Sequence, residues 1–200
     1  SGGLEMRRLL IVLVVFCFAG SARSEVLTFG KFGAVHVYQQ NDRPSRAVLF
    51  VSGEGGWDQD LADSARDLSG LDTLVIGVDL RSYRSAFQAA GNGCVSLADD
   101  LDGLSHYVQR QVRMPAYVAP VLVGYGDGAA AVYVANAQST KIQFAGAISL
   151  GICPKPAAPL NYCPAGNGRP LFSGCSHRLL AMGTLQSSWI AVGNDPSGKC

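Results

Sequence analysis

Gly124-Tyr125-Gly126-Asp127-Gly128 lies between an apolar run, Val118 to Val123, and an alanine-rich stretch, Asp127 to Ala137. That is the strand, sharp turn and helix context of a nucleophile elbow, G-x-S-x-G, whose flanking glycines permit a strained turn and close helix packing. The central serine of such a motif attacks a carbonyl carbon. Here the central residue is Gly126, which has no side chain to attack with, so the motif reads as a degenerate elbow with Asp127 beside it. A glycine-rich turn of an ordinary βα unit is the competing reading.

A second cluster, Gly53-Glu54-Gly55-Gly56-Trp57, follows the apolar run Ala47 to Val51. A loop in that place can turn backbone N–H groups toward a developing oxyanion. Gly53, Glu54, Gly55, Gly56 and Trp57, together with Tyr125 and Asp127, are the candidate binding residues. A tight turn explains the glycines but not the Glu54 and Trp57 that bracket them. A phosphate-binding G-x-G-x-x-G loop has a different spacing.

The partners of a catalytic triad are harder to find. Asp195, after the run Trp189 to Val192, stands where a triad acid belongs, although Pro196 and Gly198 beside it also suit a plain turn. A histidine should follow the acid in this order of residues, and none does in this sequence. His36 falls on an early strand, His106 on the polar side of a helix and His177 ahead of the acid. Asp79 and Arg81 suit either a polar headgroup or a loop ion pair. The constellation therefore points to a domain that binds rather than catalyses.

Parallel, doubly covered strands read as unbroken apolar runs, and five such runs occur: Ala47 to Val51, Leu74 to Val78, Val118 to Val123, Phe144 to Leu150 and Trp189 to Val192. Helical stretches lie between them at Leu61 to Leu68, Ser96 to Val112 and Asp127 to Ala137. In the middle one, Leu97, Leu101, Leu104 and Val108 share a face, and Ser96 with Asp99 is set like a capping box. Two peripheral, antiparallel strands are expected earlier, at Val26 to Phe29 and Val35 to Tyr38. The predicted fold is α/β: an open, mostly parallel sheet flanked by helices, whose ligands bind beyond the strands' C-terminal ends. A Pro/Gly-rich excursion runs from Pro154 to about Met182.

Two hundred residues, 48% hydrophobic and 16% charged, fit one globular domain, and a formal net charge of +1 without basic blocks argues against a nucleic-acid partner. Ser1 to Glu5 read as a tag remnant. Met6-Arg7-Arg8, an 11-residue apolar run from Leu9 to Ala19, and small residues up to Ser24 read as a cleaved signal peptide, so residues 1–24 are expected to be removed and 25–200 to form the domain. The run is too short to span a bilayer, and membrane association is peripheral at most. From Glu25 onward the chain carries 13 basic and 14 acidic residues. Export to an oxidising compartment suits the five cysteines of that part. Cys153–Cys163, the closest pair in sequence, is the expected bridge, with Cys94–Cys200 second and Cys175 free. No cysteine and histidine spacing suggests a metal, and no cofactor is expected.

Five segments together resemble the bacterial VirJ/AcvB family: Ser52 to Trp57; Gly77-Val78-Asp79-Leu80-Arg81; Cys94 with Leu97 to Leu101; Pro120 to Gly126; and Ala147 to Pro154. The resemblance covers nearly the whole chain after residue 24. It implies a periplasmic α/β-hydrolase-like protein connected with type IV secretion virulence and with aminoacyl-phosphatidylglycerol hydrolysis. The family's elbow resembles Gly-Tyr-Ser-x-Gly, so Gly126 departs from it, and the chain resembles the degenerate first domain of the two-domain AcvB type. The partners implied are an aminoacyl-phospholipid headgroup or a secretion-system or periplasmic protein. The alternative is an active ester hydrolase of aminoacyl-phosphatidylglycerol that uses another nucleophile or a carboxylate-activated water.

Overall fold

The computed structural model describes residues 23–152 except 92 and 141, together with 160–165, 168, 170–173, 178–179 and 190–193. Asp195, His177, Trp189, Cys153, Cys175, Cys200 and nearly all of the expected signal peptide lie outside these residues.

Seven strands form one sheet: β1 (Arg23–Phe29), β2 (Gly33–Gln39), β3 (Arg46–Val51), β4 (Thr73–Val78), β5 (Val121–Tyr125), β6 (Gly146–Leu150) and β9 (Ile190–Gly193). Two short strands, β7 (Phe172–Ser173) and β8 (Arg178–Leu179), pair separately. The spatial order is β1-β2-β4-β3-β5-β6-β9. β1 and β2 run antiparallel at the edge, while β4, β3, β5, β6 and β9 are parallel, as their unbroken apolar runs predict. β1 starts earlier than expected: Arg23 and Ser24 already pair with Gln39 and Tyr38.

The helices are α1 (Gln59–Ser69), α2 (Leu80–Ala90), α3 (Leu97–Gln111) and α4 (Asp127–Gln138). α1 covers one face of the sheet, where Ala65, Leu61, Ala62 and Leu68 meet Tyr38, Phe50, Val75 and Val123. The larger core lies on the opposite face, where Val35, Leu49, Val51, Leu74, Ile76 and Leu122 pack against residues of α2, α3 and α4. Each fully buried Leu or Ile there contributes about 1.5–3 kcal/mol relative to exposure. α4 is buried on nearly every side, which matches its almost uniformly small and apolar sequence.

Three local outcomes differ from expectation. α2 comes in addition to the expected helices: Asp79 Oδ1 caps it by accepting from Ser82 N–H at 3.0 Å, and Leu80, Tyr83 and Phe87 bury one face. β5 begins at Val121 rather than Val118, because Val118 is held by α3 instead of by a strand, its N–H and carbonyl bonding the Gln109 amide at 2.8 and 2.7 Å. The expected capping box does not form. Ser96 Oγ donates to Asp99 Oδ2 at 2.6 Å, and the first turn of α3 is capped by Gln138 Oε1, which accepts from Leu97 and Ala98 N–H at 2.8 and 3.3 Å.

The disulfide is Cys94–Cys163, which corrects both expected bridges, Cys153–Cys163 and Cys94–Cys200. The chain around Tyr162 returns beside Val95 in a parallel bridge. Val95 N–H donates to Asn161 O at 2.7 Å and Cys163 N–H to Val95 O at 2.9 Å, bringing the two cysteine Cα atoms to 4.8 Å. Proximity in sequence was a poor guide because the backbone folds back across 69 residues.

Candidate functional site: the turn between β5 and α4

Between β5 and α4, Gly126 has φ 57° and ψ −119°, and its N–H donates to Leu150 O at 3.0 Å. This is a strained turn, and the glycines flanking it are fixed by contact. A Cβ on Gly124 would stand 2.2 Å from Gly128 O, and one on Gly128 would stand 2.3 Å from Val51 O and 2.5 Å from Ser52 O. α4 therefore crosses β5 and β3 at a distance that only glycine permits. At Gly126 itself an added Cβ would meet nothing within 4 Å. At residue 126 the backbone takes an elbow-like conformation with open space where a side chain would point.

The loop after β3 lies against this turn. A Cβ on Gly53 would be 3.2 Å from Tyr125 O and 4.0 Å from Asp127 N. Buried Ser52 fixes the loop's root, its Oγ accepting from Leu80 N–H at 3.0 Å and donating to Gly53 O at 3.3 Å. Gly56 closes the turn with φ 81°, and its N–H donates to Gly53 O at 3.2 Å. The Gly53 loop and the start of α4 thus lie directly against one another.

Two carboxyls, of Glu54 and Asp127, interact beside this turn. Glu54 is held above the usual carboxylate range, first by the charge of Asp127, then by a hydrogen bond with it and by burial, while Arg84 opposes the shift. Asp127 in turn pairs with Arg84, Nη2 to Oδ2 at 3.1 Å, and the two side chains are only 6% and 16% exposed. Arg84 Nε is buried with no hydrogen-bond partner among the described residues. The buried Tyr162 phenol is pushed up to about 12, mainly by burial, and feels the charges of Arg84 and Asp127. Tyr125 and Leu150, 51% and 42% exposed, are register partners on β5 and β6 and form an apolar lip.

The structure thus brings together Gly53, Gly126, Asp127 and Glu54 of the expected residues, with Tyr125 at the rim. Gly55 is an exposed loop residue and Gly56 a buried turn residue. Trp57 is occupied elsewhere. Its indole lies over Gly77, where a Cβ would come within 2.4 Å, stacks on His36 at 5.2 Å, meets Phe50 edge-on and donates from Nε1 to Tyr38 Oη at 3.3 Å. Asp79 caps α2 and accepts from Trp57 N–H, and Arg81 lies beside Gly56, so both serve the loop junction. His106 stacks on Tyr117 with ring centroids 3.7 Å apart. Arg84 and Tyr162 were missed by sequence reasoning. The Asp-Leu-x-x-Tyr-x-x-x-Phe pattern of α2 could have placed Arg84 on a helix, whereas no local signal marks Tyr162.

No family model matches this sequence, and no curated protein matches it. Solved structures match by shape. The Francisella virulence factor BioJ aligns with a TM-score of 0.51 at 12% identity, over 76% of this chain and 50% of its own. A candidate dienelactone hydrolase from Klebsiella pneumoniae aligns with a TM-score of 0.50 at 12% identity, over 70% of this chain and 64% of its own. The chain thus spans less than two thirds of either structure. At this identity the likeness concerns the fold, and that fold is α/β-hydrolase-like.

Proposed function

We propose that this chain is an exported, non-catalytic α/β-hydrolase-like domain of the VirJ/AcvB type. It serves aminoacyl-phosphatidylglycerol hydrolysis or type IV secretion by binding an aminoacyl-phospholipid headgroup or a periplasmic protein at the elbow cleft. The observation that carries the non-catalytic reading is Gly126, which holds the elbow conformation with open space above it and no nucleophile. The resemblance in the sequence supports the family and the partners. Purified chain incubated with a chromogenic ester tests the reading: no turnover above the buffer rate is expected, and turnover that disappears in Asp127→Asn overturns it. Co-sedimentation with vesicles supplies the binding arm. Retention on lysyl-phosphatidylglycerol above plain phosphatidylglycerol, weakened by Glu54→Gln, is expected of headgroup recognition, and equal retention on both removes that ligand.

The Glu54–Asp127 pair favours a second reading, an ester hydrolase that activates water. One ionised carboxylate would take a proton from water as it attacks the ester carbonyl, and the protonated partner would give one to the leaving alcohol. The same ester assay separates the two, since this reading requires turnover with a bell-shaped pH profile.

A further inference from the structure

The sequence offers two bonds at which an export peptidase can release the apolar leader, because such enzymes ask for small residues one and three places before the cut. Gly20 and Ala22 satisfy this for a cut after Ala22, and Ala22 and Ser24 satisfy it for a cut after Ser24. The sequence pattern suits both bonds, and the fold treats them differently.

β1 pairs with β2 over all seven of its residues, from Arg23 opposite Gln39 to Phe29 opposite Gly33. One short helical turn, Gly30–Phe32, joins the two strands, so this ladder draws on a single local stretch of chain. β2 is in turn held by β4, from Val35 opposite Val78 to Tyr38 opposite Val75, and a third strand gives the hairpin the support that two strands alone lack. Ser24 lies opposite Tyr38 and Glu25 opposite Val37, which puts the Ser24–Glu25 bond inside the ladder. A cut there takes away the β1 partners of Gln39 and Tyr38. Arg23 and Ser24 also line, with Gln39, Gln111 and Arg113, a groove of about 620 Å³ between the hairpin and the end of α3. Both residues are therefore parts of the folded domain, whereas the Ala22–Arg23 bond precedes the first pair of the ladder. A peptidase draws the chain around the scissile bond into its own cleft as an extended strand, and a bond already in a ladder reaches that cleft only after its paired residues separate.

We propose that the leader is cut between Ala22 and Arg23, so that the mature chain begins at Arg23 and not at Glu25. The step is a hydrolysis. Water adds across the Ala22–Arg23 amide, its oxygen stays on the Ala22 carbonyl carbon as part of a carboxylate, and Arg23 keeps the nitrogen as an α-ammonium group. The site deepens the proposed function by naming where the chain is processed, and it rests on the reading of the chain as exported.

Expression of the full chain in a bacterial host, followed by N-terminal sequencing and intact mass of the recovered protein, tests it. The protein should begin Arg23-Ser24-Glu25 and be heavier by one arginine and one serine than a chain beginning at Glu25. Gly20→Tyr spoils the third place before the proposed cut and no place that the other cut uses, so it should abolish the start at Arg23 and leave the uncut precursor. Ser24→Tyr spoils the other cut and sets a strand-favouring residue at an exposed position of β1, so it should leave the start at Arg23 unchanged. A mature chain that begins at Glu25, normal processing of Gly20→Tyr, or a block by Ser24→Tyr overturns the proposed cut while export stands. Recovery of the wild-type chain with Leu9 to Ala22 still attached overturns the export reading together with the cut, so the two failures are distinguishable.

Discussion

A methyl group added at Gly126 and one added at Gly128 meet different surroundings. At Gly128 it stands 2.3 Å from a backbone carbonyl, which cannot swing away, whereas at Gly126 it stands in open space and bears only the cost of φ 57° and ψ −119°. Gly126→Ser should therefore fold, losing about 1–3 kcal/mol, the usual cost of a strained backbone site. Gly124→Ala and Gly128→Ala should each lose about 3 kcal/mol or more by overpacking. Urea unfolding of the three variants decides the order, and equal losses would remove the elbow geometry from the account. Gly126→Ser is also expected to remain without ester turnover, because the histidines among the described residues are engaged elsewhere, His36 stacked on Trp57 and His106 on Tyr117. The elbow itself was legible in the sequence because its glycines are obligatory. Trp57 misled because a tryptophan after a glycine loop suits a ligand wall equally well, and the small residue it needs, Gly77, lies on a different strand.

Elements register pH through the packing of β2 on the Trp57 loop. His36 on β2 has its pKa lowered from 6.5 by burial against the indole, with Asp79 pulling the other way. The folded state then binds fewer protons than the unfolded chain. The stabilisation from neutral His36 is present above pH 6.5 and is lost as pH falls through 6.5 toward the lowered folded value. Stability followed by urea midpoint should fall across that interval, and His36→Gln should flatten the fall. A midpoint that rises on acidification would contradict the sign. Glu54, raised in the folded state, acts in the opposite sense at lower pH, so the histidine variant is the needed control. The element boundaries show why local patterns reach only so far. The apolar runs marked the five parallel strands because burial on both faces leaves that trace, but Val118 has the same composition and is claimed by Gln109 of α3 instead. Likewise, Ser96 and Asp99 satisfy the capping-box pattern while Gln138, 41 residues away from Leu97, supplies the cap.

At the scale of the whole molecule, the feature least visible in the sequence is the fold-back of the chain after β6. Cys153 and Cys163 are near neighbours in sequence, and closing a short loop asks little of the chain. The bridge forms instead where Val95 and Tyr162 lie side by side, because backbone pairing and the burial of Leu160 carry Cys163 there. Such a bridge closes a loop of 69 residues, so it restricts the unfolded chain more than a short one would, by about 4 kcal/mol in the loop-closure account. Two outcomes follow. Peptide mapping without reductant should yield Cys94 linked to Cys163, and a peptide joining Cys163 to Cys153 would refute the fold-back. Cys94→Ser/Cys163→Ser should lower the free energy of unfolding by up to about 4 kcal/mol, with the folded sheet's far-ultraviolet signal retained. Because an entropic cross-link acts on the unfolded chain, the variant's denaturant slope should rise as its unfolded state expands, whereas a bridge that stabilised only by native contacts would leave that slope unchanged.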